Sequence, residues 1–131
     1  MRYLPNGKQM SEADAHTIHK IGIPSLVLME RAALQIVETM HKKNISTEKS
    51  LIVCGSGNNG GDGFAVARLL TEQGKHADVL FAGKEASLSE ECRCQKQIVE
   101  NMGISVFTEF PDEEYTVIID AVFGVGLCRE I

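Results

Sequence analysis

Apolar residues after Pro24 follow the three-and-four spacing of one buried helical face. Pro24 suits the first turn of such a helix, where its missing N–H costs nothing. Before it, the polar segment from Ser11 predicts a shorter capped helix that ends near Gly22. The positions that define the longer face are Leu26, Met29, Ala33, Ile36, Val37 and Met40.

Short apolar runs alternate with helical segments from residue 50 onward. The runs predict strands at 50–55, 77–82, 104–107 and 116–120, and helices are predicted at 64–70 and 87–102. This alternation predicts an α/β fold, a Rossmann-like three-layer α/β/α architecture with a mostly parallel sheet. The length of 131 residues fits a single domain over 1–131.

Composition and charge exclude several function classes. Thirteen basic and eighteen acidic residues give a net charge of −5, and the largest basic cluster is 41–43, which argues against nucleic-acid binding. No apolar stretch is long enough for a membrane span, and the first twenty residues do not resemble a secretory signal, so a cytoplasmic location is expected. The four cysteines are expected to be reduced thiols, and their spacing does not favour a zinc site.

A glycine-rich segment, Gly55–Gly63, stands between the first predicted strand and the next helix, with five glycines in nine residues. Glycine is needed where φ is positive, as we expect at Gly61, or where another group approaches the backbone closely. Free amides at the start of the helix would seat an anion, so a phosphorylated ligand is the simplest occupant. Asp62 could act only as the helix N-cap. Asn58 and Asn59 offer amide donors and acceptors that phosphate binding alone does not require.

A second candidate segment covers 117–127, where an apolar strand ends in Asp120 and a Gly-x-Gly loop follows. Open α/β sheets place their ligands at this end of their strands. An alternative is that Asp120 only caps a turn.

The chain resembles the NAD(P)H-hydrate epimerase family, whose fold is known as the YjeF N-terminal domain. The resemblance covers the whole chain in order. It is carried by Gly55–Gly63 with the helix through Leu70, by Asp120–Leu127, and by the helix entry at Gly22–Ser25 and Leu28–Ala32.

The resemblance implies a Rossmann-like domain that equilibrates the R and S forms of hydrated NADH and NADPH. It implies one potassium ion per subunit, with Asn59 and Asp120 as ligands. Asp62 and Asp120 are the candidate proton-transfer groups, and neither is assigned that role. The residues implied to contact the hydrated dinucleotide are Asn58, Asn59, Gly60, Gly61, Asp62, Gly124, Val125, Gly126, Leu127, Cys128, Arg129 and Glu130.

The family also implies partners and a longer chain. A dehydratase that uses one epimer is the functional partner, and in bacteria it is often fused C-terminal to the epimerase. The family continues beyond Ile131 with a third motif, so we expect an incomplete domain. An uncovered apolar edge of a parallel sheet would then favour either association, for example as a homo-oligomer, or partial disorder.

Two other functions stay open at this stage. A non-catalytic nucleotide-binding or scaffolding module of the same fold is the main alternative. A hydride-transferring dehydrogenase fits less well, because the acid expected about 20 residues after the glycine loop would be Asp78, which lies inside a predicted strand.

Overall fold

The computed structural model describes residues 22–122 and the backbone of residues 126–130. The helix predicted from Ser11 lies outside these residues. A 3-10 turn, Glu85–Ser87, precedes the last helix. In chain order, the helices and strands are α1 (Ser25–Lys42), β1 (Lys49–Cys54), α2 (Asn58–Glu72), β2 (His76–Phe81), α3 (Glu90–Asn101), β3 (Val106–Phe107), β4 (Val117–Ala121) and β5 (Gly126–Glu130).

The strands form one sheet in the order β3-β2-β1-β4-β5. The first four are parallel, and β1 lies between β2 and β4. The predicted α/β class and mostly parallel sheet are therefore confirmed.

Strand β5 pairs antiparallel with β4. The first two residues of the Gly-x-Gly loop predicted after Asp120 lie outside the described residues, and the third, Gly126, begins β5. The expectation of an uncovered parallel edge is wrong for β4, because β5 covers it. The chain folds back beside β4 instead of crossing the sheet through a helix. Antiparallel neighbours need only a short connection, whereas parallel ones need a crossover.

The main core lies between the sheet and the described helices. Helix α2 packs on β1, β2 and β4, and α1 and α3 lie on either side of it. Alternate strand residues enter this core, among them Ile52, Val79 and Ile119, together with Phe64 of α2. All three described helices thus cover one face of the sheet, and the second helical layer of the predicted architecture is not among the described residues.

The opposite face carries a buried polar cluster. Asp78 of β2 is 4% exposed, accepts a hydrogen bond from the Tyr115 hydroxyl at 2.8 Å through Oδ2, and lies 3.0 Å from His76 Nε2 through Oδ1. Tyr115 precedes β4, so this cluster joins the segment before β4 to β2.

No helix within the described part of the chain has both the length and the apolar character needed to cross a bilayer.

Candidate nucleotide-binding site

The carboxyl ends of β1 and β4 lie side by side. Cys54 pairs with Ala121 in the register, and the Gly55 N–H donates to the Ala121 carbonyl oxygen at 3.2 Å. The glycine-rich segment and the residues after Asp120 therefore leave the same edge of the sheet, as predicted. This is the edge at which open α/β sheets bind ligands.

Helix α2 begins inside the glycine-rich segment. Its N-cap is Gly57, and Asn58 and Asn59 are its first residues. We predicted that the helix starts at Phe64 with Asp62 as a possible N-cap; both the start and the cap are wrong. The first turns of the helix were not predicted from the sequence because glycine is a poor helix former. The first N–H groups of an α-helix have no carbonyl four residues earlier in the helix to donate to, which makes a helix start a place where an anion can bind.

The loop glycines serve close packing. A Cβ atom at Gly60 would overlap the carbonyl oxygen of Gly55 and lie 2.7 Å from its carbonyl carbon. At Gly63 it would lie 2.7 Å from Ala121 Cβ and 2.8 Å from Cys54 Sγ. Glycine at these positions lets the start of α2 sit directly against the ends of β1 and β4.

The positive φ expected at Gly61 is wrong. Gly61 lies in helix α2, and the described glycines with positive φ are Gly22, Gly74 and Gly103. What crowds Gly61 is the side chain of Met29 from α1, whose Cε would lie 2.7 Å from an added Cβ. The glycine thus allows α1 to approach α2 closely.

Asn58 is exposed and contacts the start of α3. The Ser89 hydroxyl donates to Asn58 Oδ1 at 2.8 Å, and the Ser89 N–H donates to the Ser56 carbonyl oxygen at 2.9 Å. Ser89 was not among the site residues predicted from the sequence. A serine followed by two glutamates, Glu90 and Glu91, is a helix N-cap pattern that could have drawn attention to it.

Asp120 is the penultimate residue of strand β4 and is half-buried. Its Oδ1 accepts a hydrogen bond from the Val122 N–H at 3.0 Å. The turn-capping role weighed from the sequence is therefore present. One carboxylate oxygen suffices for that bond, so the cap leaves Oδ2 available for another contact.

Two cysteines lie beneath the glycine-rich segment. Cys54 is fully buried, and the Cys92 thiol donates to the Gly55 carbonyl oxygen at 3.6 Å. Burial raises the pKa of Cys54 well above its usual value. Burial, opposed by Lys96 and aided by Asp62, raises the pKa of Cys92 to about 11. Both thiols are therefore neutral near pH 7 and pack as small apolar groups, not as nucleophiles.

Several residues predicted to contact the ligand lie outside the part of the chain that the structure describes. Gly124 and Val125 are not described, and neither are the side chains of 126–130. Within residues 22–122, no three histidine, cysteine or acidic side chains come together as a metal site. The two residues predicted to hold potassium, Asn59 and Asp120, include only one acid. A potassium site at these residues would therefore not appear as a cluster of three such side chains.

Comparisons with known proteins agree with this architecture. The family model of the YjeF-related protein N-terminus matches residues 25–131. The yeast protein YNL200c, known from its crystal structure, shares the fold: its TM-score is 0.70 at 22% identity, over 88% of this chain and 54% of the yeast chain.

Two curated bacterial relatives carry the name NAD(P)H-hydrate epimerase. The protein of Weissella koreensis is 43% identical over 124 residues, and that of Oenococcus oeni is 44% identical over 128 residues. The alignments cover 94% and 96% of this chain but only 56% and 61% of the relatives. The chain thus spans somewhat more than half the length of these relatives, and it belongs to the family of YjeF-related protein N-termini.

Proposed function

We propose that this chain is the nucleotide-binding part of an NAD(P)H-hydrate epimerase, which interconverts the R and S forms of hydrated NADH and NADPH in the repair of damaged cofactor. The observation that carries the proposal is the start of α2 within Gly55–Gly63, packed against the end of β4. The names of relatives at 43% and 44% identity give the substrate class.

The start of α2 fits a phosphorylated dinucleotide. The N–H groups at a helix N-terminus and the positive end of the helix dipole favour phosphate. The exposed side chain of Asn58 and the half-buried side chain of Asn59 add amide groups that can recognise other parts of the ligand. The segment Gly124–Glu130 is proposed to contact its other side.

Epimerisation requires the C–O bond at the hydrated ring carbon to open and to re-form on the opposite face. A proton must reach the departing hydroxyl and leave the returning water, and the cationic ring in between needs electrostatic stabilisation. Asp62 and Asp120 are the candidate acids in the two motifs, and both are half-buried. A dehydratase that accepts one epimer would consume the product.

Binding of NADP⁺ tests the ligand half of this proposal. We expect calorimetry to show NADP⁺ binding to the wild-type chain and a loss of about tenfold in affinity in Asn59→Ala, because one hydrogen-bonding amide is removed. Asn101→Ala is the matched control, since Asn101 is exposed at the far end of α3. Equal affinities in all three proteins would contradict the assignment of this loop.

Potassium is proposed as the ion of the site, held by Asn59 and Asp120. The donor set fits, because an amide oxygen, one carboxylate and loop carbonyls are hard oxygen ligands. A single negative charge among neutral oxygens suits a large monovalent ion better than magnesium, which retains its own water shell. The ion would stabilise the two loops against the ligand.

Replacing potassium by lithium at equal concentration tests the ion. We expect thermal stability and NADP⁺ affinity to be higher in potassium, and Asp120→Ala to abolish the difference. Asp120→Asn is the control for the turn, because its amide oxygen can still accept from Val122 while the charge is lost. Equal responses to the two ions in the wild type would remove potassium from the account.

A non-catalytic module is the second candidate. It needs only the start of α2 as a seat for phosphate, and the fold supplies this whether or not a reaction follows. Such a module would bind nucleotide or a partner without accelerating epimerisation, so a rate measurement separates the two.

A further inference from the structure

Ser89 uses every hydrogen-bonding group it has at the junction of α2 and α3. Its hydroxyl oxygen accepts from the Cys92 N–H at 3.2 Å and thereby caps α3. Its hydroxyl proton is donated to Asn58 Oδ1 at 2.8 Å. Its own N–H is donated to the Ser56 carbonyl oxygen at 2.9 Å. The start of α3 is thus connected both to the backbone and to a side chain of the glycine-rich segment.

These roles fix which end of the Asn58 amide faces α3. A carboxamide has an accepting oxygen and a donating nitrogen on opposite branches. The Ser89 hydroxyl donates its proton to Asn58 Oδ1, so the oxygen of the carboxamide faces α3. The Asn58 nitrogen is then turned away from Ser89. Asn58 is exposed, so this NH₂ group remains free to donate to a ligand.

Capping alone does not require this arrangement. An N-cap side chain only has to accept a hydrogen bond from the helix backbone, which aspartate, asparagine or threonine also do. Donation to Asn58 is a separate function of the hydroxyl. It orders an exposed side chain before the ligand arrives, which lowers the entropy lost on binding.

We propose that Ser89 is a positioning residue of the candidate site, which holds the Asn58 carboxamide so that its NH₂ group faces the nucleotide. This inference rests on the proposed function for the identity of the ligand. It assigns to Ser89 no contact with the ligand itself, so its effect on binding must pass through Asn58.

A double-mutant cycle on the 131-residue chain tests this, with NADP⁺ as the probe in calorimetry. We expect Ser89→Ala to weaken binding about 3- to 10-fold, the usual effect of one lost hydrogen bond. Ser89→Thr keeps both the cap and the donor and should bind within about twofold of the wild type. In the Asn58→Ala background, Ser89→Ala should weaken binding no further, although it should still lower the melting temperature through loss of the cap.

The amide signals of Asn58 give a second, ligand-free measurement. In nuclear magnetic resonance spectra, the side-chain NH₂ of Asn58 should show restricted motion in the wild type and in Ser89→Thr, and fast averaging in Ser89→Ala. If NADP⁺ does not bind the wild type, the proposed function fails while these signals still decide the role of Ser89. Independent, additive effects on binding, or unchanged Asn58 signals in Ser89→Ala, would overturn the proposal.

Discussion

At the scale of single residues, the site depends on how closely the start of α2 approaches the ends of the strands. A Cβ atom added at Gly60 would overlap the backbone of Gly55, which cannot move aside. A Cβ atom added at Gly61 would contact the end of the flexible Met29 side chain. The two glycines are adjacent in sequence but tolerate a side chain to different degrees. Hence the contact partner, and not positive φ, sets the cost of substitution at each position.

Gly60→Ala should therefore destabilise the chain strongly. Inserting a methyl group into a packed site typically costs about 1–3 kcal/mol, and overlap with a rigid carbonyl places this variant at or above the upper end. Gly57→Ser is the matched control. An added Cβ at Gly57 meets nothing within 4 Å, and serine is a favourable N-cap for α2.

Chemical denaturation of the two variants provides the measurement. We expect a large fall in the free energy of unfolding for Gly60→Ala and a small change for Gly57→Ser. A Gly60→Ala variant as stable as the wild type would show that the loop is not packed against Gly55 as described.

At the scale of elements, the apolar runs predicted the strands closely. Strand β1 was expected at 50–55 and occupies Lys49–Cys54, and β4 was expected at 116–120 and occupies Val117–Ala121. Buried parallel strands are recognisable in a sequence as continuous apolar runs bounded by polar or glycine residues. The same pattern placed the loops after both strands at one edge, which is the basis of the site.

The wrong or absent predictions for these elements also have physical causes. Helix α2 starts six residues earlier than expected, at Asn58 instead of Phe64, because tertiary packing overrides the low helix propensity of glycine. The link between Ser89 and Asn58 joins positions 31 residues apart. Local periodicity carries no signal for such a contact, so the sequence could not supply it.

The contact between Tyr115 and Asp78 should stabilise the segment that leads into β4. Tyr115→Phe leaves Oδ2 of a buried carboxylate without its donor, which typically costs about 1–3 kcal/mol. Glu113→Gln is the control: Glu113 also lies near the Tyr115 hydroxyl, at 3.4 Å, but it is exposed and should change stability by less than about 0.5 kcal/mol.

The same contact predicts a pH dependence. Burial and then the hydrogen bond to Asp78 raise the pKa of Tyr115 above its usual value near 10. A raised pKa in the folded state gives stability that is complete below the unfolded pKa and is lost as pH rises toward the folded one. Unfolding measured from pH 9 upward should show a shallower decline in Tyr115→Phe than in the wild type. If Tyr115→Phe and the wild type had the same free energy of unfolding and lost it at the same rate with rising pH, the contact between Tyr115 and Asp78 would be contradicted.

At the scale of the whole molecule, the described residues form the β1–β4 parallel core of the fold with α1, α2 and α3 on one face. The alignments leave roughly two fifths of each relative's length uncovered, and a complete set of ligand contacts is what gives an active site its preorganised geometry. We therefore expect the 131-residue chain to epimerise hydrates far more slowly than a version completed by the C-terminal part of a relative.

The most direct test of the central claim is the rate at which R and S hydrated NADPH interconvert, followed by chromatography with the spontaneous rate subtracted. The chain would be completed with the C-terminal part of the Oenococcus oeni relative and shown to be folded by its thermal transition. We expect rapid interconversion by this completed protein, a far lower rate for the 131-residue chain, and a loss of activity in the Asn59→Ala variant of the completed protein. If the completed protein is folded and the R and S hydrates still interconvert only at their spontaneous rate, the proposed epimerase function is contradicted.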